Sequence, residues 1–400
     1  MIQKHQVIII GGGPGGSTAG SILARAGVDV LILERELYPR FHIGESLLPA
    51  TMPIFKEIGF YPTLDNGNYI RKYGARFIDY QNDDEIRFGF QDGLNAEIPM
   101  AFEVERSHFD TDILAHAVKC GAKLHQPETV LDVQSDATGV RLKTDKGEYE
   151  CDYLIDSTGR DALIGKKNGM RDFNKDLNNV AVFAHYRNVF RYPGIDAGDI
   201  TIGLLPDRAW TWIIPFQDGI TSVGVVASSK HFNGERDLEA YFNRSVLGSE
   251  KVRGFMKDAE RVGEMRTIGN YSHTCKEFFG DRWILSGDAA VFLDPIFSSG
   301  VHMSCSSSKF AAEAVMTAMG AGTKDGMKSF KQDGLGETYE KMVRLGAKRF
   351  KSLIMMFYQG NFVEQMKKSL VRENVRKGFT SAVAGDVWNE NNYLFEKNVL

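Results

Sequence analysis

Gln6-Val-Ile-Ile-Ile10 runs directly into Gly11-Gly-Gly-Pro-Gly-Gly16, and residue types at that junction suggest chemistry. Glycines at 11, 13 and 16 form a GxGxxG pattern. Gly11 permits a tight turn out of a strand. Gly13 lets the backbone approach a pyrophosphate with no Cβ in the way, and Gly16 lets the next helix lie close to the sheet. The free N–H groups at that helix start would face a diphosphate. Glu34 closes a second apolar run, Val28–Leu33, where a carboxylate can accept hydrogen bonds from a ribose diol. Strand, glycines, helix, second strand and terminal acid occur in order within about 30 residues, as a dinucleotide site requires. The motif does not separate FAD from NAD.

The elements that carry these residues are legible in outline. Short β-branched or alternating runs at Arg71–Phe77, Arg87–Phe90, Val130–Val133, Val140–Leu142, Tyr153–Ile155 and Trp283–Leu285 predict strands. Glu105–Ala117 has apolar residues at helical spacing, Ser304–Met319 is a helix rich in small residues, and 337–378 is mainly helical. From about 178 to 265 the pattern is strand-rich, with turns at Pro193-Gly194, Pro206-Asp207 and Asp218-Gly219. The 400 residues, 43% hydrophobic and 25% charged, are too many for one ordinary core. A net charge of −4 gives no basic excess for nucleic acid. No apolar run approaches the length of a membrane span, and there is no signal-peptide layout. The four cysteines (Cys120, Cys151, Cys275, Cys305) form no CxxC pair. They read as reduced and structural in a cytoplasmic protein, and no metal site is expected.

Three separated segments resemble the FAD-dependent monooxygenase superfamily: the glycine unit, Asp156-Ser-Thr-Gly159, and Gly287-Asp-Ala289. The resemblance gives Asp288 a contact with the flavin ribityl chain and Arg106 a contact with the flavin. Within that superfamily the chain most resembles the flavin-dependent halogenases, over nearly its whole length. Trp210-Thr-Trp212-Ile-Ile-Pro215 matches their WxWxIP signature, and Phe292-Leu-Asp-Pro-Ile-Phe297-Ser-Ser299-Gly300 their FxxPxxSxG pattern. Arg40–Pro49 resembles the loop with the Gly44-Glu45-Ser46 motif that lies by the flavin. Lys72, in Lys-Tyr-Gly-Ala75, falls where the family keeps its catalytic lysine. Taken singly, two tryptophans on one strand face often mean core packing, and a lone lysine is usually a solvated charge. Tryptophan-type halogenases carry a glutamate where this chain has Phe297, so the resemblance implies an electron-rich phenol or pyrrole as substrate.

The implied fold is α/β. A Rossmann-type FAD-binding domain (1–68, 103–172 and 266–322) carries an inserted, mainly antiparallel β-sheet substrate domain (69–102 and 173–265). A helical region (323–400) follows. The implied chemistry makes hypochlorous acid from reduced FAD, oxygen and halide, chloride or bromide. The halide rests on backbone donors near Ser299 and Gly300, Lys72 activates the oxidant, and Trp210, Trp212 and Phe297 lie on the substrate side. Glu45 and Ser46 join the flavin contacts. No second nucleotide fingerprint is present, so a separate flavin reductase is implied. An aromatic substrate is expected, free or on an acyl-carrier protein. On one helix, Lys368, Arg372 and Arg376 would share a face, either as a docking surface for an acidic carrier or as ordinary solvated charge. Two alternatives use the same platform: a hydroxylase or geranylgeranyl-reductase-like enzyme, and a non-catalytic flavin-binding protein.

Overall fold

The computed structural model describes residues 2–94, 97–232, 237–269, 271–320, 326–359, 362–369 and 371–396. The first sheet runs in the order Lys123–His125, Val30–Leu33, Gln3–Ile10, Glu148–Asp156, Gly139–Thr144, Val130–Asp136. Trp283–Leu285 pairs with the C-terminal half of Glu148–Asp156. The first four strands and Trp283–Leu285 are parallel, and the other two are antiparallel. Val7–Ile10 and Val30–Leu33 are buried throughout, which is why they are apolar runs rather than alternating ones. Ile10, Leu33, Asp156 and Leu285 bring the carboxyl ends together at one edge, where ligands of such sheets bind.

A second sheet runs Glu260–Gly269, Asn179–Arg187, Thr221–Ser228, Trp210–Pro215, Ile200–Leu204, Gly74–Asp79, Glu85–Gly89. It is antiparallel except where Ile200–Leu204 meets Gly74–Asp79. The fold is therefore the α/β arrangement expected. Two helices the alternation did not predict, Leu238–Val246 and Glu250–Phe255, cover its outer face around Phe242 and Val252. Among the described residues no helix is long and apolar enough to cross a membrane.

Three elements differ from the sequence reading in ways that bear on function. The run Arg71–Phe77 is two strands, not one: Ile70–Lys72 pairs with Ala101–Glu103, and Gly74–Asp79 joins the second sheet. At the crossing, the Tyr73 N–H donates to the Asp199 carboxylate at 3.1 Å, which satisfies a backbone group that neither ladder can. The small-residue helix begins at Ser299 rather than Ser304, so Ser299 and Gly300 open it.

The third difference corrects the basic face. The C-terminal segment breaks into Phe362–Ser369 and Glu373–Val383, and Arg372 has extended backbone before the second helix. Lys368, Arg372 and Arg376 therefore do not lie on one helix. Lys367 pairs with Asp84 at 3.0 Å, Lys368 with Glu364 at 2.5 Å and Lys377 with Glu373 at 2.7 Å. Glu373 in the first turn favours a new helix start there.

Candidate active site

The glycine turn is built as its spacing predicts. Gly11 has φ +104°, and a Cβ there would lie 2.4 Å from the Ser157 carbonyl oxygen. A Cβ on Gly16 would lie 1.9 Å from the Gly11 carbonyl oxygen, so both positions are closed by the protein itself. Gly13 is different. A Cβ there would meet nothing nearer than Arg40 Nη2 at 3.9 Å, so this space is kept for something other than protein. The Gly12 N–H donates to Glu34 Oε2 at 2.7 Å, and the Glu36 N–H donates to Oε1 at 2.9 Å. Glu34 thus stands fixed at the strand end, on the wall of a single cavity of about 430 Å³.

Arg106 opens the helix Arg106–Lys119 and braces the loop that follows Arg40. Its Nη1 donates to the carbonyls of Ile43 (2.8 Å) and Gly44 (3.2 Å). Its Nε and Nη2 grip Asp110 at 2.7 and 2.9 Å. Arg40 Nη1 donates to the same Asp110 at 3.0 Å. Asp110, fully buried, anchors both arginines and was missed by the sequence reading, although its i,i+4 spacing from Arg106 was a usable signal. Glu45 reaches the second sheet, where Oε1 accepts from His185 Nε2 at 2.9 Å. Burial pulls that imidazole's pKa down, but the Glu45 hydrogen bond and charge outweigh it and leave it raised.

Asp288 stands on the cavity wall beyond Arg106, with Arg160. Burial pushes its pKa up to about 6, against the opposing charges of Arg160 and Arg106. Arg160 was also missed, because nothing in a lone turn arginine marks it. Asp156, by contrast, organises its own turn, accepting from the Thr158 and Ile164 N–H groups at 3.0 and 2.9 Å.

Trp210 and Trp212 are both core and cavity wall. Their rings lie 5.8 Å apart. Trp210 Nε1 donates to the Tyr358 hydroxyl and Trp212 Nε1 to Ser222 Oγ, each at 3.0 Å. A Cβ on Gly224 would sit 2.2 Å from the Trp212 ring, so that glycine makes room for it. Gly300 and Ser298 line the cavity and Ser299 lies just behind them, at the N-terminus of a 21-residue helix. The first N–H groups of such a helix have no partner within it. Phe297 does not line the cavity. It packs against Phe77 and Phe357 at 6.4 and 6.1 Å.

Lys72 is not a solvated charge: it is 1% exposed. It stands behind the cavity wall, where Nζ donates to Ser46 Oγ at 2.7 Å and to the Leu47 carbonyl at 3.1 Å. Ser46 itself lines the cavity.

These residues fit FAD: open space against Gly13, a carboxylate at the strand end, a second carboxylate further along the wall, and a helix N-terminus at the far end. The fold and site define an FAD-binding oxidoreductase, and residues 4–335 match the FAD binding domain family. The 1H-pyrrole-2-carbonyl-[peptidyl-carrier protein] chlorinase of Pseudomonas fluorescens is 34% identical, over 90% of this chain and 85% of that protein. The flavin-dependent halogenase armH1 of Armillaria mellea is 30% identical, over 85% and 70%. The solved structure of the flavin-dependent brominase Bmp2 superposes with a TM-score of 0.87 at 26% identity, over 99% and 98%. The chain belongs to the flavin-dependent halogenases.

The state of Asp288 gives a pH prediction. With its folded pKa raised from 3.8 to about 6, the folded protein holds a proton that the unfolded chain releases. The stability of the FAD-free protein therefore falls as pH rises through that window. Asp288→Asn removes the effect and is expected to raise FAD-free stability above pH 6, by at most ~3 kcal/mol. It is also expected to weaken FAD binding. Melting curves from pH 4 to 8, with and without FAD, check both parts. A variant with the wild-type pH slope would remove Asp288 as the source.

Proposed function

We propose that this chain halogenates an electron-rich pyrrole or phenol, presented on a carrier protein, with reduced FAD delivered by a separate reductase. The observation that carries this reading is the hydrogen bond from Lys72 Nζ to Ser46 Oγ on the cavity wall. Ser46 Oγ accepts from Lys72 and sits beside the Glu103 carboxylate, so its proton can turn either to that carboxylate or to an oxidant in the cavity. When bound, reduced FAD with oxygen and halide supplies a hypohalous acid. The Ser46 hydroxyl, polarised by the Lys72 ammonium, then donates to the oxidant's oxygen. The ring carbon takes the halogen as the O–X bond breaks, and the ring proton leaves with the hydroxide as water. A pyrrole nitrogen or phenol oxygen pushes electron density into the ring, so no glutamate is needed where Phe297 stands. Backbone donors of the helix opening at Ser299 and Gly300 suit the halide. The carrier-bound substrate is favoured by the pyrrolyl-carrier chlorinase among the relatives.

The test supplies anaerobically reduced FAD, then oxygen with chloride or bromide. Substrates are free phenols, free pyrrole-2-carboxylate and its carrier-linked thioester, and products are read by mass spectrometry. Halogenated thioester with untouched free acid is expected. Equal turnover of free and linked pyrrole would overturn the carrier requirement, and a hydroxylated product without halogen would overturn the role given to Lys72 and Ser46.

A further inference from the structure

Three residues far apart in sequence meet on one face of a small sheet. Ile70–Lys72 pairs antiparallel with Ala101–Glu103, placing Lys72 opposite Ala101 and Ile70 opposite Glu103. Ser46 bridges to Glu103 from the other side. Opposed residues share a face, and so do residues two apart on a strand. Ser46, Lys72 and Glu103 therefore all project to the same side, although Lys72 and Glu103 are only diagonal neighbours. The result is an ammonium 4.0 Å from Glu103 Oε1, with both side chains sealed from solvent. Apart from the neighbouring Ser46 hydroxyl, which lowers its pKa, the Glu103 carboxylate has no hydrogen-bond partner among the described residues. A buried carboxylate left in that state is costly unless a cation compensates it.

We propose that Glu103 is a positioning residue for halogenation: it is the counter-ion that keeps Lys72 protonated and aimed at Ser46. The inference rests on the role given to Lys72 above. The geometry around Nζ supports it. Ser46 Oγ and the Leu47 carbonyl accept from the nitrogen, and the Glu103 carboxylate stands at ion-pair distance, 4.0 Å away; acceptors and a negative charge on these sides favour the ammonium over the neutral amine. The Phe90 ring lies 5.4 Å away and adds a cation-favouring face. The other charged groups nearby are already engaged. Asp199 is held by Arg87 Nε at 2.7 Å, and Glu45 by His185 at 2.9 Å. Burial pushes Lys72 down and Glu103 up, each toward its neutral form, and the mutual charge of the pair opposes both shifts. Removing the Glu103 charge leaves burial acting on Lys72 against only the more distant Asp199.

The test uses the full chain with FAD, as wild type, Glu103→Gln and Glu103→Asp. Lysines labelled at Cε are titrated by NMR, and the Lys72 signal is assigned by its loss in Lys72→Arg. Glu103→Gln is expected to lower the Lys72 midpoint by about one pH unit or more. Halogenated product per oxygen consumed should stay near wild type at the acid end and fall as pH rises. Glu103→Asp, which keeps the charge, should restore most of the wild-type profile, and it carries the test where the amide variant does not fold. An unshifted midpoint, with a profile merely scaled down, would make Glu103 structural and overturn the inference. Activity that rises with pH in Glu103→Gln would make the neutral amine the working form and overturn it too. Wild-type halogenation by a Lys72 variant would instead overturn the reading of Lys72 itself, whatever Glu103 does.

Discussion

Lys72→Met is expected to bind FAD and consume oxygen normally while forming at least ~100-fold less halogenated product, the range lost with a positioned proton donor. The side chain is 1% exposed and donates to Oγ of Ser46, a residue of the cavity wall. Methionine keeps the volume and removes the charge, and Lys72 does not itself line the cavity, so of the expected flavin contacts only Ser46 loses a partner. The substitution also strands Glu103, and breaking a buried ion pair by removing one partner costs about 3–5 kcal/mol where the remaining charge cannot neutralise. Glu103 can neutralise, because burial already pushes it toward the protonated form. The double variant Lys72→Met, Glu103→Gln replaces both charges and is expected to recover the lost stability without recovering product. Oxygen uptake, product yield and melting temperature, measured together on the three proteins, check this. Product at the wild-type rate in either variant would end the role assigned to Lys72.

Gly13→Val is expected to leave the fold intact and weaken FAD binding by at least ~100-fold, about 2.7 kcal/mol. Gly13 has φ −67° and ψ −175°, extended backbone that valine adopts without strain. The nearest atom to an added Cβ is Arg40 Nη2, the end of a flexible side chain, at 3.9 Å, so a bound ligand feels the substitution more than the fold does. The two neighbouring glycines give the contrast. Alanine at Gly11 or Gly16 would strike backbone oxygens at 2.4 and 1.9 Å, and both variants are expected to lose folding stability first. Melting with and without FAD separates the cases. Wild type should gain stability with FAD, Gly13→Val should melt like the FAD-free wild type under both conditions, and the alanine variants should melt early regardless. A Gly13→Val protein that remains yellow would show that the pyrophosphate lies elsewhere.

The two variants also differ in how far their sites could be read from the chain. The Gly11–Gly16 turn and Glu34 were legible because the unit is local: strand, turn, helix and acid are contiguous, and each residue's job follows from backbone geometry within it. Asp288, Trp210 and Trp212 were legible as residues, because their short motifs resemble a family, but what surrounds them was not. Arg160, His185 and Tyr358 gave no signal, since each acts through a partner more than 60 residues away. The C-terminal face was misread because i,i+4 spacing implies a shared face only while one helix continues, and it breaks between Ser369 and Glu373. The run through Lys72 was misread as one strand because its β-pattern is continuous although its partners change at Tyr73.

Nucleotide binding therefore followed from spacing alone, because hydrogen-bond donors, chain reversal and missing side chains are properties of a few consecutive residues. The environment of the reactive groups did not. Lys72 reads equally as a surface charge or a catalytic one until Ser46, Leu47 and Glu103 close around it from two other segments. Burial and counter-charge decide whether an ammonium is inert or reactive, because both act through space and weaken with distance and solvent. The neighbours that supply them come from segments 25 to 31 residues away in the chain, and only the tertiary structure brings them together.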